Sequence, residues 1–245
     1  MNTPAQILCG RHPVLEALKA EHPIQRLLIA KGAHGSVVDE IYTYARQERI
    51  PFDLKDRSFL DRIASRHQGI IAYMAAHPYA DYTELLQSID LSQAFLIFLD
   101  QIQDPHNLGA ILRSAHAVGA DALITPERNA AGLTATAAKA AAGAAAHLPV
   151  CRVPNLQRAL QQARDAGIWL IGLAADGEQN FTTLDYTIPC ALVIGGEEKG
   201  MRRLVRETCD FTAHIPMAHA EVGSFNASVA AALTLYEVFR QRHLS

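Results

Sequence analysis

Asn107 and Arg113 stand six residues apart in the stretch NLGAILR, behind an apolar run and a proline. An amide at a helix entrance can cap exposed N–H groups, and the positive end of the helix dipole makes the same spot attractive to an anion. Arg113 would lie roughly 9 Å further along the axis at about 1.5 Å per residue. A capped helix with a surface arginine accounts for the same two residues, so their chemistry depends on what the rest of the chain brings to them. Residues 195–205, GGEEKGMRRLV, follow the apolar run CALVI. Gly195, Gly196 and Gly200 there let the backbone turn tightly and approach a ligand, with Glu197 and Glu198 among them. A plain strand-to-helix turn explains such a cluster as well. Ser224 or Asn226, in GSFNASV, caps a long helix whose apolar positions Phe225, Val229, Ala232, Leu233, Tyr236 and Phe239 recur at helical spacing. Nearer the N-terminus, Arg57, Arg62, Arg66 and His67 gather in DRSFLDRIASRHQGI, where Arg62 and Arg66, four apart, would share a helix face. They read either as a solvated helix end or as a phosphate-gripping edge that positions RNA without reading its sequence.

Each of the three later groups follows a strand-like run. FLIFL, residues 95–99, suits a buried strand; residues 100–107 turn polar, and Pro105 breaks any regular element there. From Leu108 the apolar residues fall at Ile111, Leu112, Ala115 and Val118, the spacing of a helix with one buried face. Strands are expected over residues 122–125, 150–153, 169–173 and 190–194, with a helix over 156–166 and an alanine-rich, helix-favouring piece over 129–147. The small residues of that piece are read as packing, and its one charge, Lys139, as solvated. Strands alternating with helices predict an α/β fold with a largely parallel sheet covered on both faces. Residues 1–76 read as a smaller α/β unit, with helices over 12–18 and 37–48 and strands over 26–30 and 70–75. The polar stretch that follows, with a short helix over 82–88, gives a linker over 77–93 and a second domain over 94–245.

With 245 residues, 49% of them hydrophobic, the chain can build two modest cores. No apolar run approaches the roughly 20 residues of a membrane helix, and MNTPAQILCGRH lacks the layout of a signal peptide, so the cytoplasm is expected. Cys9, Cys151, Cys190 and Cys209 form no CxxC pair and read as reduced, buried thiols. Eleven histidines form neither HxxxH nor HExxH, so no metal is expected. No GxGxxG opens a helix after a strand, which argues against a dinucleotide-binding oxidoreductase. The net charge is −3, yet residues 1–78 carry ten Lys and Arg against eight Asp and Glu. That mild asymmetry permits a basic face without proving one.

Taken in order, NLGAILR, VIGGEEKGMRRLV and IPMAHAEVGSFNASVAAALTLYE resemble the three motifs of the SpoU (TrmH-type) RNA ribose 2′-O-methyltransferases. The ordered set is far more specific than any one motif. CGRHPVLEAL and SRHQGI resemble the ribosomal-protein-like RNA-binding domain that precedes the catalytic domain in bacterial enzymes methylating a guanosine ribose of large-subunit ribosomal RNA. The resemblance implies a SPOUT-type catalytic domain with a deep trefoil knot, a homodimer, and S-adenosylmethionine as cofactor. It places cofactor contacts at Gly195, Ile215 and Phe225, with Leu173 and the residues up to Gly177 along the same pocket. Asn107, Arg113, Glu197, Ser224 and Asn226 fall on the family's catalytic positions, and Arg57, Arg62, Arg66 and His67 would hold RNA. The chain departs from the family pattern with SFN for SLN at residues 224–226, Glu198 for a glycine, and Ala142 and Ala146 for polar residues.

Methyl transfer from a sulfonium requires a nucleophile in line with the methyl group, about 3 to 3.5 Å away, so positioning supplies much of the catalysis. In the family the first-motif arginine, here Arg113, is proposed to help deprotonate the ribose hydroxyl. A guanidinium stays protonated above about pH 12, so the physically easier role is to grip the adjacent phosphate and stabilise charge developing on the ribose oxygen, with a phosphate oxygen receiving the proton. Ribosomal RNA is the expected substrate; transfer RNA, an rRNA loop methylated for antibiotic resistance, and a catalytically silent RNA-binding relative are the alternatives.

Overall fold

The computed structural model describes residues 7–19, 24–74, 79–197, 199–219 and 223–244. The chain forms two compact units, residues 1–77 and 78–245. In the first, β1 (Ile7–Cys9), α1 (Arg11–Lys19), β2 (Ile24–Ala30), α2 (Ser36–Gln47), β3 (Phe52–Lys55), α3 (Arg57–Asp61) and β4 (Ile70–Met74) follow in sequence. The sheet order is β1-β4-β2-β3, with β4 antiparallel to both neighbours and β3 parallel to β2 at the edge. Val14, Leu15 and Leu18 of α1 and Val38 and Ile41 of α2 are buried, as the helical spacing requires. Strands β1 and β3 were not expected, because three or four residues at a sheet edge carry too few alternations to register. Ala75, the expected end of β4, and the expected domain boundary at residue 76 lie outside the described residues.

The expectation that Arg62 and Arg66 share a helix face is corrected. Helix α3 ends at Asp61, and Arg66 takes a left-handed φ of 60°, so the two arginines lie on different local geometries.

In the second unit, α4 (Tyr82–Ser88) precedes β5 (Phe95–Asp100), α5 (Pro105–Ala117), β6 (Ala122–Pro126) and α6 (Ala135–Ala141). Then come β7 (Val150–Val153), α7 (Leu156–Asp165), β8 (Trp169–Leu173), β9 (Gln179–Asn180), β10 (Cys190–Gly195), α8 (Arg203–Thr208), β11 (Phe211–His214) and α9 (Ala227–His243). The seven strands run in the order β7-β6-β5-β10-β8-β11-β9, every pairing parallel. Both faces are covered, which the alternation along β5 makes visible. Phe95, Ile97 and Leu99 pack with α5, α6 and α9, whereas Leu96 and Phe98 pack with α4 and α7.

The stretch expected as a linker carries α4, capped by the Asp81 carboxylate, and the Tyr82 hydroxyl donates to the Ala159 carbonyl at 2.8 Å, which joins this stretch to the second unit's core. The α-helix of the alanine-rich piece spans only Ala135–Ala141, because Ala142 and Gly143 turn left-handed at φ 48° and 89°; a short 3-10 turn, Ala144–Ala146, follows. Its smallness serves packing: a Cβ on Gly109 of α5 would fall 2.3 Å from the Ala137 carbonyl oxygen. Cys151 and Cys190 are buried, whereas Cys9 and Cys209 are partly exposed; all four are free. Burial pushes the Cys151 and Cys209 thiols up to about 12, which keeps them protonated and poorly reactive. No helix among the described residues is long and apolar enough to cross a membrane.

Candidate active site

Strand β5 is followed by β6 and β7 on one side, and the chain then returns to lay β8 on the other, with β10 later inserted between β5 and β8 and β11 between β8 and β9. The carboxyl ends of parallel strands around such a reversal are where an α/β sheet forms a crevice. A cavity of about 280 Å³ opens there. Its wall is built from the end of β8 and the residues after it (Leu173, Ala174, Ala175, Asp176), the end of β10 and its loop (Ile194, Gly195, Gly196, Glu197), and the residues around β11 and α9 (Ala213, Ile215, Met217, Ser224, Phe225). Backbone crowding forces the glycines. A Cβ on Gly195 would lie 2.3 Å from the Gly200 carbonyl carbon, and one on Gly177 would lie 2.4 Å from that of Ala213. No side chain fits at either place, so the Gly195 loop closes on itself and the segment at Gly177 packs main chain against β11.

Polar groups stand in this lining and directly behind it. Asp176 accepts from Nη1 of Arg206 at 2.8 Å, and that hydrogen bond holds its carboxyl below the usual range. Glu197 accepts from Nδ2 of Asn107, which is itself buried. Asp100, at the end of β5 and fully buried, accepts from the Arg202 backbone N–H and Nε, each at 2.8 Å. Leu173, Ile194, Ala213, Ile215 and Met217 make an apolar wall. The combination suits a ligand with a flat apolar part and a charged part.

Leu173, Gly195, Ile215 and Phe225 all line this cavity, as do Glu197 and Ser224. Asn107 joins it through Glu197. It is not the helix cap, however: Asp104 holds that place, accepting from the His106 N–H at 2.9 Å, with Pro105 at the first helical position. An aspartate followed by proline is a strong helix-start signal that the asparagine three residues later obscured. Arg113, two turns into α5, is exposed and has no ion pair or hydrogen bond among the described residues. Asn226 does not line the cavity; it caps α9, with Oδ1 accepting from the N–H groups of Ser228 and Val229. Glu198 lies outside the described residues. Arg57, Arg62 and Arg66 are exposed, but His67 is buried, with Nε2 on Asp61 at 2.8 Å and Nδ1 accepting from the Gly69 N–H at 2.9 Å. His67 is therefore sealed from a ligand. Asp176 lines it too, within the Leu173–Gly177 segment expected along the pocket, whereas Lys199, Arg206 and Met217 were not singled out in the sequence. Among the described residues no three His, Cys, Asp or Glu stand close enough to hold a metal ion.

Large apolar residues that recur at helical spacing along the last helix stand on its exposed side. Val229, Leu233 and Tyr236 are 45%, 41% and 58% exposed, and α9 instead buries Ala227, Ala231, Thr234, Leu235 and Val238. Helix α5 lies against α9, and this side carries mainly small residues, which let two helices approach closely.

Residues 94–236 match the model of the SpoU rRNA Methylase family, and residues 7–80 match the model for RNA 2'-O ribose methyltransferase substrate binding. A Bacillus subtilis protein assigned by name to the TrmH family tRNA/rRNA methyltransferases is 41% identical over 99% of this chain and 98% of its own. The SpoU methyltransferase AviRb from Streptomyces viridochromogenes, solved in complex with AdoMet, superposes with a TM-score of 0.64 at 27% identity, over 97% of this chain and 90% of that one. The TrmH/SpoU tRNA modifying enzyme of Aquifex aeolicus (A. aeolicus) superposes with a TM-score of 0.57 at 28% identity, over 66% of this chain and 83% of that one.

Proposed function

Because the chain belongs to the SpoU rRNA methylase family, we propose that this S-adenosylmethionine-dependent RNA methyltransferase acts on a ribose 2′-hydroxyl, and that its target is a guanosine of large-subunit ribosomal RNA. The observation that carries this reading is the single cavity shared by the glycine loop after β10 and the Ser224–Phe225 segment, with Asn107 of α5 tied to its rim through Glu197. Leu173, Ile194 and Ile215 would receive the adenine, and the crowded main chain at Gly195 would supply backbone groups to the rest of the cofactor. When bound, S-adenosylmethionine supplies an electrophilic methyl group. Arg113 holds the phosphate next to the target ribose and stabilises negative charge on the attacking oxygen. Asn107 orients the Glu197 carboxylate, and Ser224 stands at the cavity wall where the ribose would enter. Asn226 acts at one remove, by fixing the start of α9 beneath Phe225. The SPOUT-type knot belongs to the same reading, supported by the way β10 and β11 enter the sheet between strands laid down earlier in the chain or beside them. So does the cytoplasm, where RNA and cofactor are both held.

The relatives' names span tRNA and rRNA, so the test separates the two. With labelled S-adenosylmethionine and separated bulk RNAs from a strain lacking the protein, label is expected in large-subunit rRNA, at a ribose resistant to alkaline cleavage. Label in the transfer RNA fraction alone would reassign the substrate. Absence of label in every fraction, with cofactor binding intact, would leave a silent RNA-binding relative.

A homodimer is proposed from the exposed stripe of α9, since a row of Val229, Leu233 and Tyr236 on one face is an apolar patch of the kind that interfaces cover. The wild type is expected to sediment at twice the 26.7 kDa chain mass. Leu233→Asp together with Tyr236→Lys is expected to sediment as a monomer with an unchanged circular dichroism spectrum. A double variant that stays dimeric would place the interface elsewhere.

A further inference from the structure

Phe59 of α3 is 37% exposed, with Nζ of Lys55 5.7 Å and the guanidinium carbon of Arg62 5.4 Å from its ring centroid. One exposed phenylalanine is unremarkable in itself. The charges around it are not evenly matched, however. The nearby carboxylates are all engaged: Asp53 with Arg26, Asp56 with Lys31 at 3.1 Å, and Asp61 with His67 at 2.8 Å. Lys55, Arg57, Arg62 and Arg66 have no ion pair among the described residues. The sequence-level asymmetry of the first unit thus resolves into a local excess of unpaired cations around one aromatic ring.

We propose that Phe59 and Arg62 form a stacking platform for a single unpaired nucleobase of the substrate RNA, with Lys55 and Arg57 meeting the phosphates on either side. The proposal rests on the reading that the first unit binds RNA, and it names the chemistry by which that unit does so. Unpaired bases are recognised by stacking on aromatic rings and on guanidinium planes, and a paired helix offers no such face. A protein partner would need carboxylates to match four cations and would gain little from a single ring. The wider edge is held rigid from inside. His67 locks the Arg66 and Gln68 backbone, at φ 60° and 50°, by accepting from the Gly69 N–H, and it ties that turn to Asp61 at the end of α3. His67 is a positioning residue and not an RNA contact.

The test compares binding of the full-length protein to an RNA hairpin with an unpaired loop and to the fully paired duplex of the same stem. Phe59→Leu is expected to lose at least about fivefold in affinity for the hairpin, the low end of stacking by one base, with little change for the duplex and an unchanged salt slope. Arg57→Gln is expected to weaken both and to reduce the salt slope by about one ion, whereas Arg62→Gln, which removes the guanidinium half of the platform, is expected to weaken the hairpin more than the duplex. Phe59→Trp is expected to retain hairpin affinity. Since Trp169 is the chain's one tryptophan, the Phe59→Trp, Trp169→Phe protein should show fluorescence quenched by the hairpin and not by the duplex. Should Phe59→Leu bind the hairpin like wild type while Arg62→Gln and Arg57→Gln weaken it, the stacking platform is wrong and the RNA-binding role of the unit stands. Equal losses on both probes, or an unquenched tryptophan, overturn the platform as well. If the wild type binds neither RNA, the proposed function fails first, and this inference with it.

Discussion

Arg113→Lys is expected to cut the single-turnover rate of methyl transfer by about 100-fold or more, the usual cost of removing a preorganised donor from a developing oxyanion, while leaving the unfolding midpoint unchanged. The second half of that expectation follows from the fold. Arg113 is exposed on α5 and bonds to nothing among the described residues, so the helix is held by its opposite side, through Leu108, Ile111, Leu112 and Ala115. A residue with no structural partner, on the helix whose first turn reaches the cavity rim through Asn107 and Glu197, is free to serve a ligand. Lysine keeps the charge and loses the planar fork that binds a phosphate through two parallel hydrogen bonds. If charge alone mattered, lysine would retain most of the rate. A near-normal rate for Arg113→Lys would remove the residue from the mechanism in either proposed role. The pH dependence separates those roles. An arginine acting as base titrates above about pH 12, so the rate would climb with pH across the whole working range; a phosphate clamp leaves the rate level once the substrate phosphates are ionised.

The same helix shows what was legible in the chain and what was not. The buried side of α5 could be read from its period, and the doubly covered sheet from five consecutive apolar residues in β5, because both signals are local. The apolar period of α9 was equally clear, yet several of its large residues lie on the exposed side. Val229, Leu233 and Tyr236 point outward and the buried face carries Ala227, Ala231, Thr234, Leu235 and Val238, and periodicity reports the stripe without saying what covers it. Likewise the clustering of arginines in residues 57–66 was visible, but the turn that fixes them was not, because it depends on a buried histidine bonded to a carboxylate six residues away and to a backbone N–H. The cavity itself could not be derived from spacing, since Leu173, Gly195 and Ile215 become neighbours only through a strand order in which β10 is inserted after β8. The resemblance supplied those residues, and the topology gives the physical reason they sit together.

The largest effect expected on stability lies at a pair that no sequence signal joined, Asp100 and Arg202, 102 residues apart. Asp100 pairs in register with Gly195 across β5 and β10, and the Gly196 Cα approaches the Gln101 carbonyl so closely that a Cβ would lie 2.5 Å from its oxygen. The glycine loop therefore begins against the end of β5. It also ends there, because the buried Asp100 carboxylate accepts the Arg202 backbone N–H at 2.8 Å, its Nε at 2.8 Å and its Nη2 at 2.7 Å. The end of β5 thus holds both ends of the loop that lines the cavity, its backbone the first and the Asp100 carboxylate the second. Removing one partner of a fully buried pair costs about 3–5 kcal/mol; Arg202 is 46% exposed and Asp100 0%, so solvent already screens part of the interaction and about 2–3 kcal/mol is expected for Arg202→Ala. Denaturant unfolding measures it. The cofactor adds a second readout: the backbone N–H bond survives but the guanidinium bonds are lost, so the loop's far anchor is weakened and S-adenosylmethionine affinity is expected to fall by about tenfold for each 1.4 kcal/mol of clamping that is lost. Asp100→Asn combined with Arg202→Ala separates the buried charge from the clamp. Without the charge the double variant should recover stability relative to Arg202→Ala alone, yet bind cofactor no better, because the guanidinium bonds that hold the loop are still missing. Recovery of both together would mean that charge burial is the whole effect and that the loop needs no clamp; a wild-type unfolding midpoint for Arg202→Ala would mean that water already reaches Asp100.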